Sequence, residues 1–405
     1  MEDLKNNFKK KILDNGLTII FEKRDVPVVS IAYAVRCGGI NESLEEKGIS
    51  HFIEHMLYKG TPKRNAKKIA EDIEKNGGNL NGFTDETVTA YFCKLPSRHL
   101  DIALDVLTDM IKNPLFDKAE LEKERNVIFE EIKMRKDNPR IYVFDKIQCC
   151  LYKGTLGIPL IGTRDTMNLI DREKIIKRFA EAYQPNNLIL AVVGNADFDK
   201  IVKFAEKEFV KTKGKIYTSP VELKNDISIE ERKDIDQANL VFAYHTPLAN
   251  DKKSYAAEAL STLMAGGMSS RLFLEIREKR NLAYAVKGDS NINKDFSYNV
   301  IYIGTTKNNA ELVKELILKE FEKIAKELGE EELEQVKEQL IGNNQISMED
   351  SQNQMIGLIS YEINSKAEDL YNFESNIRKV NLKEVKDLAK QAIKNYSLFA
   401  LVPKD

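Results

Sequence analysis

The stretch His51-Phe52-Ile53-Glu54-His55-Met56-Leu57-Tyr58-Lys59-Gly60 decides how the rest of this chain is read. On an α-helix, residues four apart lie on one face a single turn apart, so the imidazoles of His51 and His55 can reach one ion, and the carboxylate of Glu54 projects close to that face. The order His-x-x-Glu-His is the reverse of the commoner His-Glu-x-x-His, but a helix read backwards still presents two imidazoles and a carboxylate to a metal. The chemistry this points to is metal-assisted hydrolysis. Only four histidines occur in the whole sequence, and two of them are here. Ser43 with Glu46 three residues later reads as a capping box in front of the helix, and Gly60 stands where a helix stop is expected. A tetrahedral site with an open position then needs a third ligand.

The third ligand is sought on the other acid-rich helix, about Lys118 to Lys136, which carries Glu120, Glu122, Glu124, Glu130 and Glu131. Glu124 and Glu131 are seven apart, two turns along one face, with Val127 and Ile128 between them on the same broad stripe. Carboxylates on a core-facing stripe are costly unless they meet a cation or a donor, whereas Glu122 and Glu130 are explained by solvent. Helix geometry leaves the choice between Glu124 and Glu131 open.

At 405 residues the chain divides most naturally into two domains of about 200 residues each. Lys plus Arg (62) nearly balances Asp plus Glu (64), so nothing in the charge calls for nucleic acid or an anionic membrane as partner. The charged, amide-rich N-terminus lacks the apolar run of a signal peptide, and no segment approaches the roughly 18 apolar residues of a membrane span. These features predict a cytoplasmic protein. Cys37, Cys93, Cys149 and Cys150 lack Cys-x-x-Cys spacing and read as reduced thiols.

Around the two motifs the element order is regular. A hairpin is predicted about Asn15-Gly16, a strand at 28–35, the metal helix, a helix from Asn65 to Asn76, and an extended run over 79–95 that suits a sheet edge. Helices at 99–112 and 118–136, further helical segments and a strand at 187–194 follow. The polar segment after Lys211, broken by Gly and Pro, reads as a linker. A second series of strands and helices then repeats the order to a closing strand at 398–402. The prediction is an α+β fold of two similar domains, 1–213 and 227–405 joined by 214–226, each a mostly antiparallel sheet with helices on one face.

These residues resemble the pitrilysin/insulinase type of inverted-motif zinc metallopeptidases, and among them the two-domain processing peptidases. The resemblance runs through Gly48 to Thr61, through Gly77-Gly78-Asn79-Leu80-Asn81-Gly82-Phe83-Thr84 with Thr89-Ala90-Tyr91, through Glu124 to Ile132, and through Gly267-Met268-Ser269-Ser270 with Arg277 to Tyr284. Glu131 follows His55 by 131 − 55 = 76 residues, the separation such enzymes show. By this resemblance His51, His55 and Glu131 hold one Zn²⁺ per chain, Glu54 is the general base, and Glu124 is a carboxylate behind the ligands. Asn81, with Gly82 and Phe83, starts the edge strand that receives the peptide. Arg277 and Tyr284, from the second half of a clamshell, hold the substrate carbonyl. Asn281 stands where relatives often have Gly; Asn is the next residue best able to adopt a left-handed turn. The glycine-rich loop of the non-catalytic mitochondrial subunit is not apparent, which argues against presequence-type specificity.

The implied activity is a zinc endopeptidase acting on unfolded peptides. Since one chain carries both the metal motif and the Arg/Tyr pair, the expected assembly is a homodimer enclosing a chamber, with a heterodimer with a paralogue as the variant. The competing class is a non-catalytic structural or partner subunit, which typically has a broken metal motif; here the motif is intact. A hydrolase of non-peptide substrates is disfavoured by the strand and second-half motifs, which suit a peptide backbone.

Overall fold

The computed structural model describes residues 5–218 and 220–404. Two mixed α+β units emerge, each built on one sheet. In the first, the six strands β1 (Phe8–Ile12), β2 (Thr18–Lys23), β3 (Val28–Val35), β4 (Asn79–Thr84), β5 (Thr89–Pro96) and β6 (Leu188–Gly194) stand in the order β1-β2-β6-β3-β5-β4. All pairs are antiparallel except β2 with β6. The second sheet has five strands, β7 (Ile227–Arg232), β8 (Ala238–His245), β9 (Ala283–Ile292), β10 (Ser297–Thr305) and β11 (Ser397–Pro403), in the order β7-β11-β8-β10-β9. Its one parallel pair is β7 with β11.

Strand by strand the two sheets correspond: β2, β6, β3, β5, β4 occupy the places of β7, β11, β8, β10, β9. The duplication argued from element order is therefore one of topology. The Asn15-Gly16 turn closes β1 onto β2 with Gly16 at φ +91°, a left-handed conformation that Gly adopts without cost.

The structure amends four expectations. The run 79–95 is not one strand but the hairpin β4–β5, broken at Asp85–Val88, where Glu86 and Thr87 are buried; the Thr- and Val-rich composition carries on through the turn and hides the break. Val127 is 48% exposed and leaves the apolar stripe of helix Lys118–Asp137, whose buried residues are Leu121, Glu124 and Ile128. The metal helix begins at Ile49, and Ser43 instead precedes a short turn, Leu44–Glu46, without capping it through its side chain.

The fourth concerns what covers the sheets. The first unit comprises Met1–Ile132, Ile158–Pro220 and Ser347–Tyr371; the second comprises Lys133–Gly157, Val221–Ile346 and Asn372–Asp405. The change at Pro220 lies within 214–226, but each half of the sequence also lends a segment to the other unit. Helix Ser351–Asn364 packs on β3 and β6, burying Met355, Leu358, Ile359 and Ile363 against Ile20, Ala32, Ala34 and Ala191. Each such side chain contributes about 1.5–3 kcal/mol when fully buried. Buried Glu22 in β2 accepts a hydrogen bond from Gln354 Nε2 (2.6 Å) and one from the Tyr371 hydroxyl, and Arg36 pairs with Glu362 (3.0 Å). The first sheet is thus covered on both faces, since the opposite one carries Ile19, Ile31, Tyr33 and Tyr91 under the metal helix and helix Leu100–Lys112. In the second unit helix Pro139–Leu151 packs on β8 and β11, with Tyr142 donating to Glu230 at 2.7 Å.

Candidate metal centre

Helix Ile49–Leu57 is pinned at its start and on its inner side. Gly48, at φ +96°, forms its N-cap, and a Cβ there would lie 2.5 Å from the Ile161 carbonyl oxygen, so only Gly fits. The buried carboxylate of Glu42 accepts from the Gly48 and Ser50 amides at 2.9 and 2.7 Å, satisfying donors that a helix start leaves unpaired. Burial holds the Glu42 carboxyl above its usual range, while buried Lys47 opposes that shift; Lys47 donates to Glu86 at 3.0 Å. Ile49, Phe52, Ile53, Met56 and Leu57 fill the core. What remains half-exposed is the face carrying His51, Glu54, His55 and Tyr58.

That face meets helix Lys118–Asp137. His51 Nε2 lies 3.6 Å from Glu131 Oε2, and His55 Nε2 lies 3.7 Å from the same oxygen. The two imidazoles meet edge to face, 4.6 Å between centroids. Among the described residues, His51, His55 and Glu131 are the one group of His, Cys, Asp or Glu whose ligand atoms gather as a metal requires, all within 4.8 Å of one another. In a tetrahedral site with bonds near 2.1 Å, ligand atoms are about 3.4 Å apart, so these residues fit Zn²⁺ with little adjustment. Glu124, only 5% exposed, lies on the other side of His55: its Oε2 is 3.1 Å from His55 Nδ1, while Oε1 pairs with Lys59 Nζ at 2.5 Å.

Glu54 stands beside the cluster. Burial raises its carboxyl above the usual range, and nearby Glu131 adds to that; a hydrogen bond from the Thr84 hydroxyl to Oε2 (2.8 Å) and His55 pull the other way. Thr84 ends β4, which among the described residues pairs only with β5 and forms an edge of the sheet. Asn81, Gly82 and Phe83 lie on that edge. A Cβ on Gly82 would come 2.4 Å from the Tyr58 hydroxyl and 3.3 Å from Glu54 Oε1, so the glycine lets the strand close on the helix. The Tyr58 hydroxyl is buried there, and desolvation holds it far above the usual phenol range.

In the second unit, Arg277 and Tyr284 come together. Arg277 Nη1 donates to the Tyr284 carbonyl at 3.0 Å, and its guanidinium lies over the Phe273 ring. The Tyr284 ring rests on Gly304 and its hydroxyl is 3.3 Å from that of Tyr302; the side chain is 46% exposed. Asn281 between them has φ +54°, the left-handed turn expected of it.

The cysteines play no part in the cluster. None is in a disulfide, and burial pushes the Cys37 and Cys93 thiols up to about 12, away from thiolate chemistry. Sequence reasoning gave no role to Lys59, Tyr58 or Thr84. The signal for Lys59 was its place four residues after His55, and for Thr84 a polar residue pointing inward along β4.

Residues 18–164 match the insulinase family, peptidase family M16, and residues 169–340 match the family described as peptidase M16 inactive domain. An uncharacterized zinc protease of Rickettsia felis is 36% identical over 345 residues, covering 84% of this chain and 84% of the relative. The chain belongs to the M16 family. Another M16 relative, the uncharacterized zinc protease YmxG of Bacillus subtilis, is 32% identical over 402 residues and spans 98% of both chains. The solved structure of a protease from Helicobacter pylori superposes with a TM-score of 0.91, covering 98% of this chain and 99% of that one at 22% identity, which shows that the two share a fold. No helix among the described residues is long and apolar enough to cross a membrane.

Proposed function

We propose that this M16 chain is a zinc-dependent endopeptidase that hydrolyses unfolded peptides, with one Zn²⁺ per chain held by His51, His55 and Glu131. The observation that carries this reading is the approach of both histidine Nε2 atoms to Glu131 Oε2, at 3.6 and 3.7 Å. When bound, Zn²⁺ supplies a Lewis acid and lowers the pKa of water towards about 7.

The protein's own groups do the rest. The edge of β4 at Asn81, Gly82 and Phe83 offers backbone N–H and C=O groups to an extended peptide, which is why the substrate must be unfolded. The Thr84 hydroxyl fixes Glu54 through Oε2, so that Oε1 accepts a proton from the attacking water and returns it to the leaving amine nitrogen. Arg277 and Tyr284 donate to the oxygen that gains charge at the scissile carbonyl. The assembly is a homodimer, or a heterodimer with a paralogue, in which this pair is contributed by a second chain, and the reduced cysteines suit the cytoplasm.

The test is the cleavage of a quenched, unstructured peptide mixture by the zinc-loaded protein. Glu54→Gln is expected to keep zinc and lose activity by several orders of magnitude; retained turnover would remove Glu54 from its role. Sedimentation of the active protein as a strict monomer would contradict the dimer. A non-catalytic subunit is the second reading, since the second half matches a family described as inactive. Zinc binding without cleavage would favour it.

A further inference from the structure

We infer that Lys59 is a positioning residue for the metal centre, acting through Glu124 on the ligand His55. This rests on the reading of His51, His55 and Glu131 as zinc ligands. The Glu124 side chain is 7% exposed and sits on a stripe otherwise filled by Leu121 and Ile128. Both of its oxygens are engaged: Oε2 by His55 Nδ1 at 3.1 Å and Oε1 by Lys59 Nζ at 2.5 Å. Lys59 follows His55 by four residues, and its amide bonds to the Met56 carbonyl at 3.1 Å, which carries the turn of the metal helix past its end. The same short segment therefore supplies both the imidazole and the cation that grip opposite ends of one carboxylate.

The physical consequence concerns orientation. A hydrogen bond from Nδ1–H to a carboxylate fixes the imidazole tautomer and turns Nε2 toward the ion. That bond lasts only while the carboxylate keeps its rotamer. Without the ammonium, Oε1 of a nearly buried carboxylate lacks its charged donor, and turning toward other donors withdraws Oε2 from His55. An ordinary exposed ion pair would be worth little, but this one is part-buried and shares its carboxylate with a ligand. Lys59, to which the sequence reading gave no role, holds this arrangement.

The experiment measures zinc affinity, by competition with a chromophoric chelator near neutral pH, for wild type, Lys59→Met, Lys59→Arg, Glu124→Gln and the double variant Lys59→Met/Glu124→Gln. Loss of a partner behind a metal ligand typically costs about 10–100-fold in affinity. Lys59→Met is expected to weaken zinc binding by about tenfold or more, Lys59→Arg to restore most of it, and Lys59→Met to cause no further loss when Glu124 is already Gln. Thermal melting of each apo variant checks the fold, and Lys59→Gln replaces Lys59→Met if the latter does not fold. Zinc binding by Lys59→Met within twofold of wild type, or an equal loss in the Glu124→Gln background, would overturn the inference. A wild-type protein that binds no zinc would overturn the functional reading itself, so the two failures are distinguishable.

Discussion

Replacing Thr84 with Val removes one hydroxyl and keeps the shape of the side chain, which isolates the bond that orients Glu54, the proposed general base. Thr84 Oγ1 donates to Glu54 Oε2 at 2.8 Å, and its backbone pairs with Thr89 in β5, which the substitution leaves intact. A hydrogen bond to a charged group contributes about 1.5–3 kcal/mol, and each 1.36 kcal/mol is a factor of ten, so kcat/KM should fall by roughly 10–100-fold. Zinc content should not change, because the Thr84 hydroxyl bonds to Glu54, which is not one of the proposed ligands. The pH profile adds a second readout. Burial holds the Glu54 carboxyl above its usual range and the Thr84 hydroxyl opposes that shift, so removing the hydroxyl raises the carboxyl further. A base works ionised, and activity falls as pH drops through its pKa; the acid limb of kcat/KM must therefore move to higher pH in Thr84→Val and return in Thr84→Ser. The assay is initial-rate cleavage of a quenched peptide across that limb. An unchanged rate with an unmoved limb would refute the orientation of Glu54 by Thr84.

Other substitutions test the surroundings of the site. Gly82→Ala places a Cβ 2.4 Å from the Tyr58 hydroxyl and 2.8 Å from the Ala90 carbonyl oxygen, so β4 must shift; peptide cleavage should fall at least tenfold with zinc retained, as read by metal analysis beside kinetics. Glu42→Ala leaves the Gly48 and Ser50 amides of the metal helix without their acceptor, at a cost of about 3 kcal/mol, and should lower the melting temperature by roughly 5–10 °C in a calorimetric scan.

Much of this architecture was legible because it is local. Helical spacing brought His51 and His55 to one face, and the i, i+7 relation put Glu124 and Glu131 on one stripe, while strand patterning located β1, β2, β3 and β6. What stayed hidden depends on residues distant in sequence. The amphipathic helices Pro139–Leu151 and Ser351–Asn364 declare that they bury a face, but nothing local says that each covers a sheet drawn mainly from the other half of the sequence. The cap of the metal helix comes from Glu42 across a turn, where Ser43 with Glu46 offered a nearer and more usual pattern. Only distance separates the two carboxylates: Glu131 meets both Nε2 atoms and Glu124 meets Nδ1 of His55.

The central claim is tested most directly by titrating metal-free protein with Zn²⁺ while following cleavage of an unstructured peptide. Activity should rise in proportion to added metal, reach a plateau at one equivalent per chain, and be absent throughout from Glu131→Gln and His55→Ala. A wild-type protein that stays inactive at saturation, or variants at the His51, His55 and Glu131 cluster that cleave as well as wild type, would contradict the account.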